Sequence, residues 1–276
     1  MTNNHPFNRR LITAQETQDS LLCVGLDPDL RKLPDHLSRD ADGVYTFCSE
    51  IIAQTSEFVC AYKINSAFFE VLGARGFEIL EKLRGEIPDD ILAIYDVKRG
   101  DIGNTAKQYA YAAFDTLNMD AVTVNPYMGA DAVEPFIRDP TRGAFVLCLT
   151  SNPGSADFER LQFNSGDTLY ESVAKKCVEW NAKDNVGLVV GATQAESLGA
   201  IRKIAGTLPI LAPGVGAQGG DLRTVLEAGL TDDENGLVIP ISRAILYAGS
   251  GKDFAEDAGE AAYHYSTLIN RTFSNE

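Results

Sequence analysis

Eight short apolar runs alternate along this chain with stretches whose apolar residues recur every three or four positions. That alternation restricts the fold to an α/β class with a parallel sheet. The runs are LLCVGLD, FVCAYKIN, ILAIYDVK, DAVTVNP, GAFVLCLTS, VGLVVGAT, LPILAPGVG and GLVIPIS. Between them, helical spacing links Val44, Phe47, Ile51, Ile52, Thr55 and Phe58, then Phe68 to Leu80, then Tyr109, Ala112, Ala113 and Leu117. Further helices are expected over Gly129–Ile137, Thr168–Lys183, Glu196–Gly206, Asp221–Ala228 and from Arg243 onward. A count of eight favours closure into a (β/α)8 TIM barrel over an open doubly wound sheet.

At 276 residues the chain suits one such barrel, and no linker or low-complexity stretch interrupts the alternation. The expectation is a single domain over 1–276. It opens on a polar lead-in, with Phe7, Leu11 and Ile12 as docking residues of a short amphipathic helix. It closes on a covering helix over Asp253–Phe273. The loop from Asn152 to Gly166 is the longest irregular region and a candidate lid.

A barrel places its active site at the carboxyl ends of the strands. The third run supplies the densest chemistry there, because DVKRGD sets Asp96, Lys98 and Asp101 at and just beyond its end. Alternate strand residues share a face, so Asp96 and Lys98 should project together, with Asp101 in the following turn. Taken alone, a DxKxxD is as well explained by solvated charges at a strand end. Asp27 ends the first run, Lys63 lies near the end of the second and Ser151 ends the fifth, so these three face one mouth with Asp96 and Lys98. Buried charges without partners cost several kcal/mol per ion, roughly, so two acids and two lysines meeting there should pair.

The last two runs lead into a second constellation. APGVGAQGGD carries Gly214, Gly216, Gly219 and Gly220, whose backbone N–H groups could approach an anion, and Gln218, which could donate an amide hydrogen bond. Arg243 follows the eighth run. Barrels recurrently bind phosphate after strands seven and eight, and a guanidinium can grip it with two hydrogen bonds.

Composition excludes other classes. With 24 basic and 39 acidic residues the net charge is −15, and no basic stripe is available for general nucleic-acid binding. The five cysteines are odd in number and never spaced CxxC, which argues against a disulfide framework or zinc site and for a reducing, cytoplasmic setting. His5, His36 and His264 stand apart, so a multi-histidine metal site is not expected. Neither a signal-like apolar core near the start nor a membrane-spanning run is seen.

The motifs DVKRGDIGNTA, LCVGLD, YKIN, LTSNPG, GATQ and APGVGAQGGD, in this order, resemble the orotidine 5'-phosphate decarboxylase family. The likeness is to its longer bacterial subfamily (type 2), over essentially the whole chain. The DxKxxDI-plus-threonine pattern is carried by Asp96, Lys98, Asp101, Ile102 and Thr105. The resemblance implies cofactor-independent decarboxylation of orotidine 5'-phosphate to UMP and CO2, the last step of de novo pyrimidine nucleotide synthesis. Lys63, Asp96, Lys98 and Asp101 would form the charged catalytic network, while Asp27 and Thr105 would bind ribose hydroxyls. Ser151 would bind the pyrimidine, Gln218 and Arg243 would hold the phosphate, and Pro213, Val215 and Gly219 would complete the substrate contacts. Members are homodimers, so Asp101, Ile102 and Thr105 would serve the neighbouring site.

Two alternatives remain at this level. A related metal-dependent sugar-phosphate decarboxylase, such as 3-keto-L-gulonate 6-phosphate decarboxylase, shares the DxKxxD skeleton but has a glutamate as metal ligand at the end of strand two. Here that place holds Lys63. A non-catalytic phosphate-ligand binding barrel would need no such charged network.

Overall fold

The computed structural model describes residues 4–215 and 221–274. Eight parallel strands close a barrel in sequence order: β1 (Leu22–Leu26), β2 (Ala61–Asn65), β3 (Leu92–Arg99), β4 (Ala121–Val124), β5 (Gly143–Leu149), β6 (Val186–Val190), β7 (Ile210–Leu211) and β8 (Leu237–Ile241). β8 returns to β1, with Leu22 opposite Ile239 and Val24 opposite Ile241. Every expected run therefore contains a strand. β7 is much shorter than LPILAPGVG implied, because Pro209 and Pro213 flank it and lack the N–H a ladder needs.

Helices cover the outside, and their caps explain several boundaries. Asp40 accepts hydrogen bonds from the backbone N–H groups of Asp42 and Gly43 and opens the helix Ala41–Thr55. Thr168 and Glu171 form a capping box at the start of Leu169–Trp180, so Thr168 is the cap and not the first turn. The segment expected as one helix from Phe68 to Leu80 is two, Ala67–Glu70 and Ala74–Glu86. Gly73 breaks it at φ +63°, a conformation most side chains avoid. The helix Gly103–Tyr111 continues as a π-helical stretch, Ala112–Thr116.

Two apolar clusters result. The larger lies between strands and helices, and the smaller fills the barrel interior with Cys23, Cys60, Ala61, Ile94, Phe145, Val189 and Val238. The lead-in helix, Phe7–Gln18, belongs to the second cluster. Phe7 and Leu11 are fully buried in it, and the Phe7 ring meets Phe145 edge-on at 5.8 Å. Gly143 makes room for this ring, since a Cβ there would overlap it. Ile12, expected to dock as well, is only half-buried. Around the same end, Asp120 takes Arg10 at 2.6 Å and Arg84 at 3.2 Å. Together these contacts close the amino-terminal end of the barrel.

Candidate active site

At the other end, β2, β3 and the residue after β1 bring four charged side chains into one network. Lys63 Nζ lies 3.0 Å from Asp96 Oδ2 and 3.6 Å from Asp27 Oδ1, and Lys98 Nζ lies 2.6 Å from Asp96 Oδ1. Sign alternates along Asp27, Lys63, Asp96 and Lys98. Lys63 and Asp96 are buried, whereas the Lys98 side chain is half exposed. Burial works against the Lys63 ammonium, but Asp27 and Asp96 outweigh it and hold its pKa above the ordinary lysine value. Burial likewise opposes the Asp96 carboxylate, yet Lys63, Lys98 and their hydrogen bonds keep it down at about 2. Asp27 Oδ1 is buried and accepts no hydrogen bond among the described residues, because 3.6 Å to Lys63 is too long for one.

Asp96 and Lys98 do meet, although regular strand alternation is not what brings them together. Between β3 and β4 the register jumps from Tyr95 opposite Val122 to Arg99 opposite Val124, so β3 bulges across Asp96, Val97 and Lys98. Lys98 takes φ +47°, and a residue with a Cβ costs about 1–2 kcal/mol there. The bulge turns its side chain back over the Asp96 carboxylate.

A cavity of about 380 Å³ opens over this network. Asp27, Lys63, Asp96 and Lys98 line it, as do Pro213, Val215 and Arg243. Ser151 also borders it, with Thr150 and Asn152 beside it. Arg243 begins a short helix, Arg243–Leu246, just after β8. It is exposed and has no ion-pair partner among the described residues. Asp101, Ile102 and Thr105 are not part of this lining. Asp101 instead accepts a hydrogen bond from the Ile102 N–H at 2.8 Å, and Ile102 is 54% exposed. Gln218 and Gly219, expected in the phosphate loop with Gly216 and Gly220, lie outside the described residues.

Residues that the motif reading missed also line the cavity, among them Asn65 and Thr123. The expected lid is more ordered than a plain loop. A 3₁₀ turn spans Pro153–Asp157, and Glu159 accepts hydrogen bonds from the Thr150 N–H at 2.7 Å and hydroxyl at 2.9 Å. Phe158 and Leu161 face solvent on its outer side. Among the described residues no group of three or more His, Cys, Asp or Glu side chains is arranged to hold a metal ion, and no helix is long and apolar enough to cross a membrane.

A closed parallel barrel with a charged cavity at the carboxyl ends of its strands defines the (β/α)8 barrel class, which carries its active sites at that face. Residues 20–258 match the orotidine 5'-phosphate decarboxylase / HUMPS family, and the chain belongs to it. Curated proteins named orotidine 5'-phosphate decarboxylase from Roseiflexus castenholzii and Dehalococcoides mccartyi are each 49% identical, covering 96% of this chain and 97% of theirs. Among solved structures, a putative orotidine-monophosphate decarboxylase from Toxoplasma gondii superposes with a TM-score of 0.91 at 42% identity, covering 99% of this chain and 97% of its own. The orotidine-monophosphate decarboxylase of Leishmania donovani gives 0.87 at 40% identity, covering 97% and 99%.

Proposed function

We propose that this chain decarboxylates orotidine 5'-phosphate to UMP and CO2 without a cofactor, as a homodimer in the cytoplasm. The observation that carries the reading is the Lys63–Asp96–Lys98 network, together with Asp27, at the mouth of a barrel of this family. Loss of CO2 from carbon 6 leaves a carbanion out of conjugation with the ring carbonyls, so a cation fixed in advance must stabilise it. Lys98 takes that part. Its ammonium is half exposed towards the cavity and needs no rearrangement to face a substrate, and it then delivers the proton that replaces CO2.

Asp96 gives both ammonium groups a counterion before substrate arrives. Lys63 in turn satisfies the buried Asp96 and stands near Asp27, whose free oxygen suits a ribose hydroxyl. Ser151 faces the pyrimidine. Arg243, which also lines the cavity, suits the phosphate, with Pro213 and Val215 in the same lining and Gln218 and Gly219 in the segment that follows them in the sequence. Binding energy from that non-reacting end offsets the ordering of substrate and closure of the Asn152–Gly166 segment.

Dimerisation accounts for the residues left outside the cavity. Asp101, Ile102 and Thr105 would reach the neighbouring site, and exposed Ile102, Tyr127 and Met128 offer apolar surface for the contact. The cytoplasmic assignment draws on five free, buried thiols. A metal-dependent sugar-phosphate chemistry fits less well, since the Lys63 ammonium sits where a cation would need ligands. The test follows the ultraviolet absorbance of orotidine 5'-phosphate with and without a chelator. Equal loss of absorbance in both is expected; no loss in either would refute the assignment, and loss abolished by the chelator would favour the metal-dependent reading.

A further inference from the structure

The bulge that aims Lys98 depends on a residue from the neighbouring strand. Thr123 in β4 is 1% exposed, and its hydroxyl accepts hydrogen bonds from the Val97 N–H at 3.0 Å and the Lys98 N–H at 2.9 Å. The same hydroxyl donates to Asp96 Oδ1 at 3.0 Å. A hydroxyl has one hydrogen and two lone pairs, so all of its capacity is used. Because two backbone donors occupy the oxygen, its hydrogen can only point at the carboxylate, which must accept.

The register explains why a hydroxyl is needed. Three residues of β3 lie between Tyr95 and Arg99 against the single residue Thr123 of β4, and the Val97 and Lys98 N–H groups go to its hydroxyl in place of a β4 carbonyl. The ladder resumes at Arg99, whose carbonyl accepts from the Asn125 N–H at 2.7 Å. Thr123 thus binds both ends of the bulge: the backbone of Lys98, held at φ +47°, and the carboxylate that carries the Lys98 ammonium. Strained backbone of this kind persists where surrounding contacts over-determine it.

We propose that Thr123 is a positioning residue for decarboxylation, setting the place and direction of the Lys98 ammonium through the Val97 and Lys98 N–H groups and through Asp96. The inference rests on Lys98 being the proton donor. The groups facing Asp96 are Lys63 from β2, Lys98 from β3 and the Thr123 hydroxyl from β4, with Asp27, just after β1, acting through Lys63. Thr123 is the uncharged member and the one that holds backbone as well.

The experiment compares Thr123→Val, which keeps the branched shape and removes the hydroxyl, with Thr123→Ser, which keeps the hydroxyl. In T123V, kcat should fall roughly 10- to 100-fold, because an ångström of misplacement at a reacting group costs about that much. KM and the inhibition constant of UMP should stay within about threefold, since the Thr123 hydroxyl bonds to Val97, Lys98 and Asp96 and not to Arg243, the proposed phosphate group. T123S should keep kcat within about threefold of the parent. Thr123→Ala, expected to lose kcat as T123V does, takes its place should T123V fail to fold by circular dichroism. A hydroxyl-free variant that retains kcat within about twofold, or a T123S that falls as far as T123V, overturns the proposal. The parent enzyme is assayed alongside: its inactivity would refute decarboxylation itself, whereas an active parent isolates the question of Thr123.

Discussion

Lys98 Nζ lies 2.6 Å from Asp96 Oδ1, and the two differ sharply in setting: the lysine side chain is 50% exposed and the carboxylate 10%. A half-exposed cation is thereby tied to a buried anion that Lys63 holds from the other side at 3.0 Å. The lysine can face substrate while its counterion stays out of water, which preserves the strength of the field it experiences.

Replacing Lys98 by alanine should abolish turnover and leave binding of UMP within about tenfold, because the proposed phosphate contact is Arg243 and not Lys98. Absorbance assays and calorimetry with UMP check the two halves. Residual turnover near the parental rate would remove Lys98 from the mechanism.

Asp96→Asn should destabilise the fold by about 3 kcal/mol, since the buried Lys63 ammonium loses its nearest counterion and keeps only the more distant Asp27. The pH dependence has a definite sign. Asp96 titrates at about 2 in the folded chain against 3.8 ordinarily, so its contribution is complete above pH 3.8 and is lost as pH falls towards 2. Lys63 is shifted upward from 10.5, so its contribution is complete below that pH and is lost only as pH rises through the higher folded value. Urea midpoints measured against pH should show an acid decline that is smaller in the variant. Identical acid limbs would contradict the pairing.

Arg243→Ala should lower kcat/KM by roughly 100-fold or more, as expected for a lost charge-assisted phosphate contact of two hydrogen bonds. Its exposure and lack of an ion-pair partner among the described residues predict an unchanged thermal midpoint. Activity within a few-fold of the parent would place the phosphate elsewhere.

The proposed crossing of Asp101 into a neighbouring site makes an arithmetic prediction. Lys98→Ala and Asp101→Ala should each be inactive alone, but a re-equilibrated equal mixture should recover about one quarter of parental activity. Half of the dimers are mixed, and one of the two sites in each mixed dimer is intact. An inactive mixture, with mixed dimers demonstrated by mass, would mean that Asp101 acts within its own barrel.

Much of this architecture was legible in the sequence because it depends on local periodicity. The eight apolar runs located all eight strands, and the residues at their ends located Asp27, Lys63, Asp96 and Lys98 at one mouth. Alternation along β3 pointed to the Asp96–Lys98 pair through simplified geometry, since the actual approach uses a bulge and a left-handed backbone at Lys98. Thr123 was illegible for a related reason. Within AVTV a β-branched residue is ordinary strand composition, and its role exists only once β4 lies against β3 three residues to one. The division at Gly73 was missed because apolar spacing persists on both sides of it, so periodicity outvoted a single backbone breaker.

Phe7, seated in the space left by Gly143, gives the barrel a stopper. With the amino-terminal end filled, the proposed substrate enters and its products leave at the carboxyl ends of the strands, where the cavity lies. Traffic is one-at-a-time. On the proposed reading UMP must vacate before the next substrate enters, and competitive inhibition by UMP is the expected outcome.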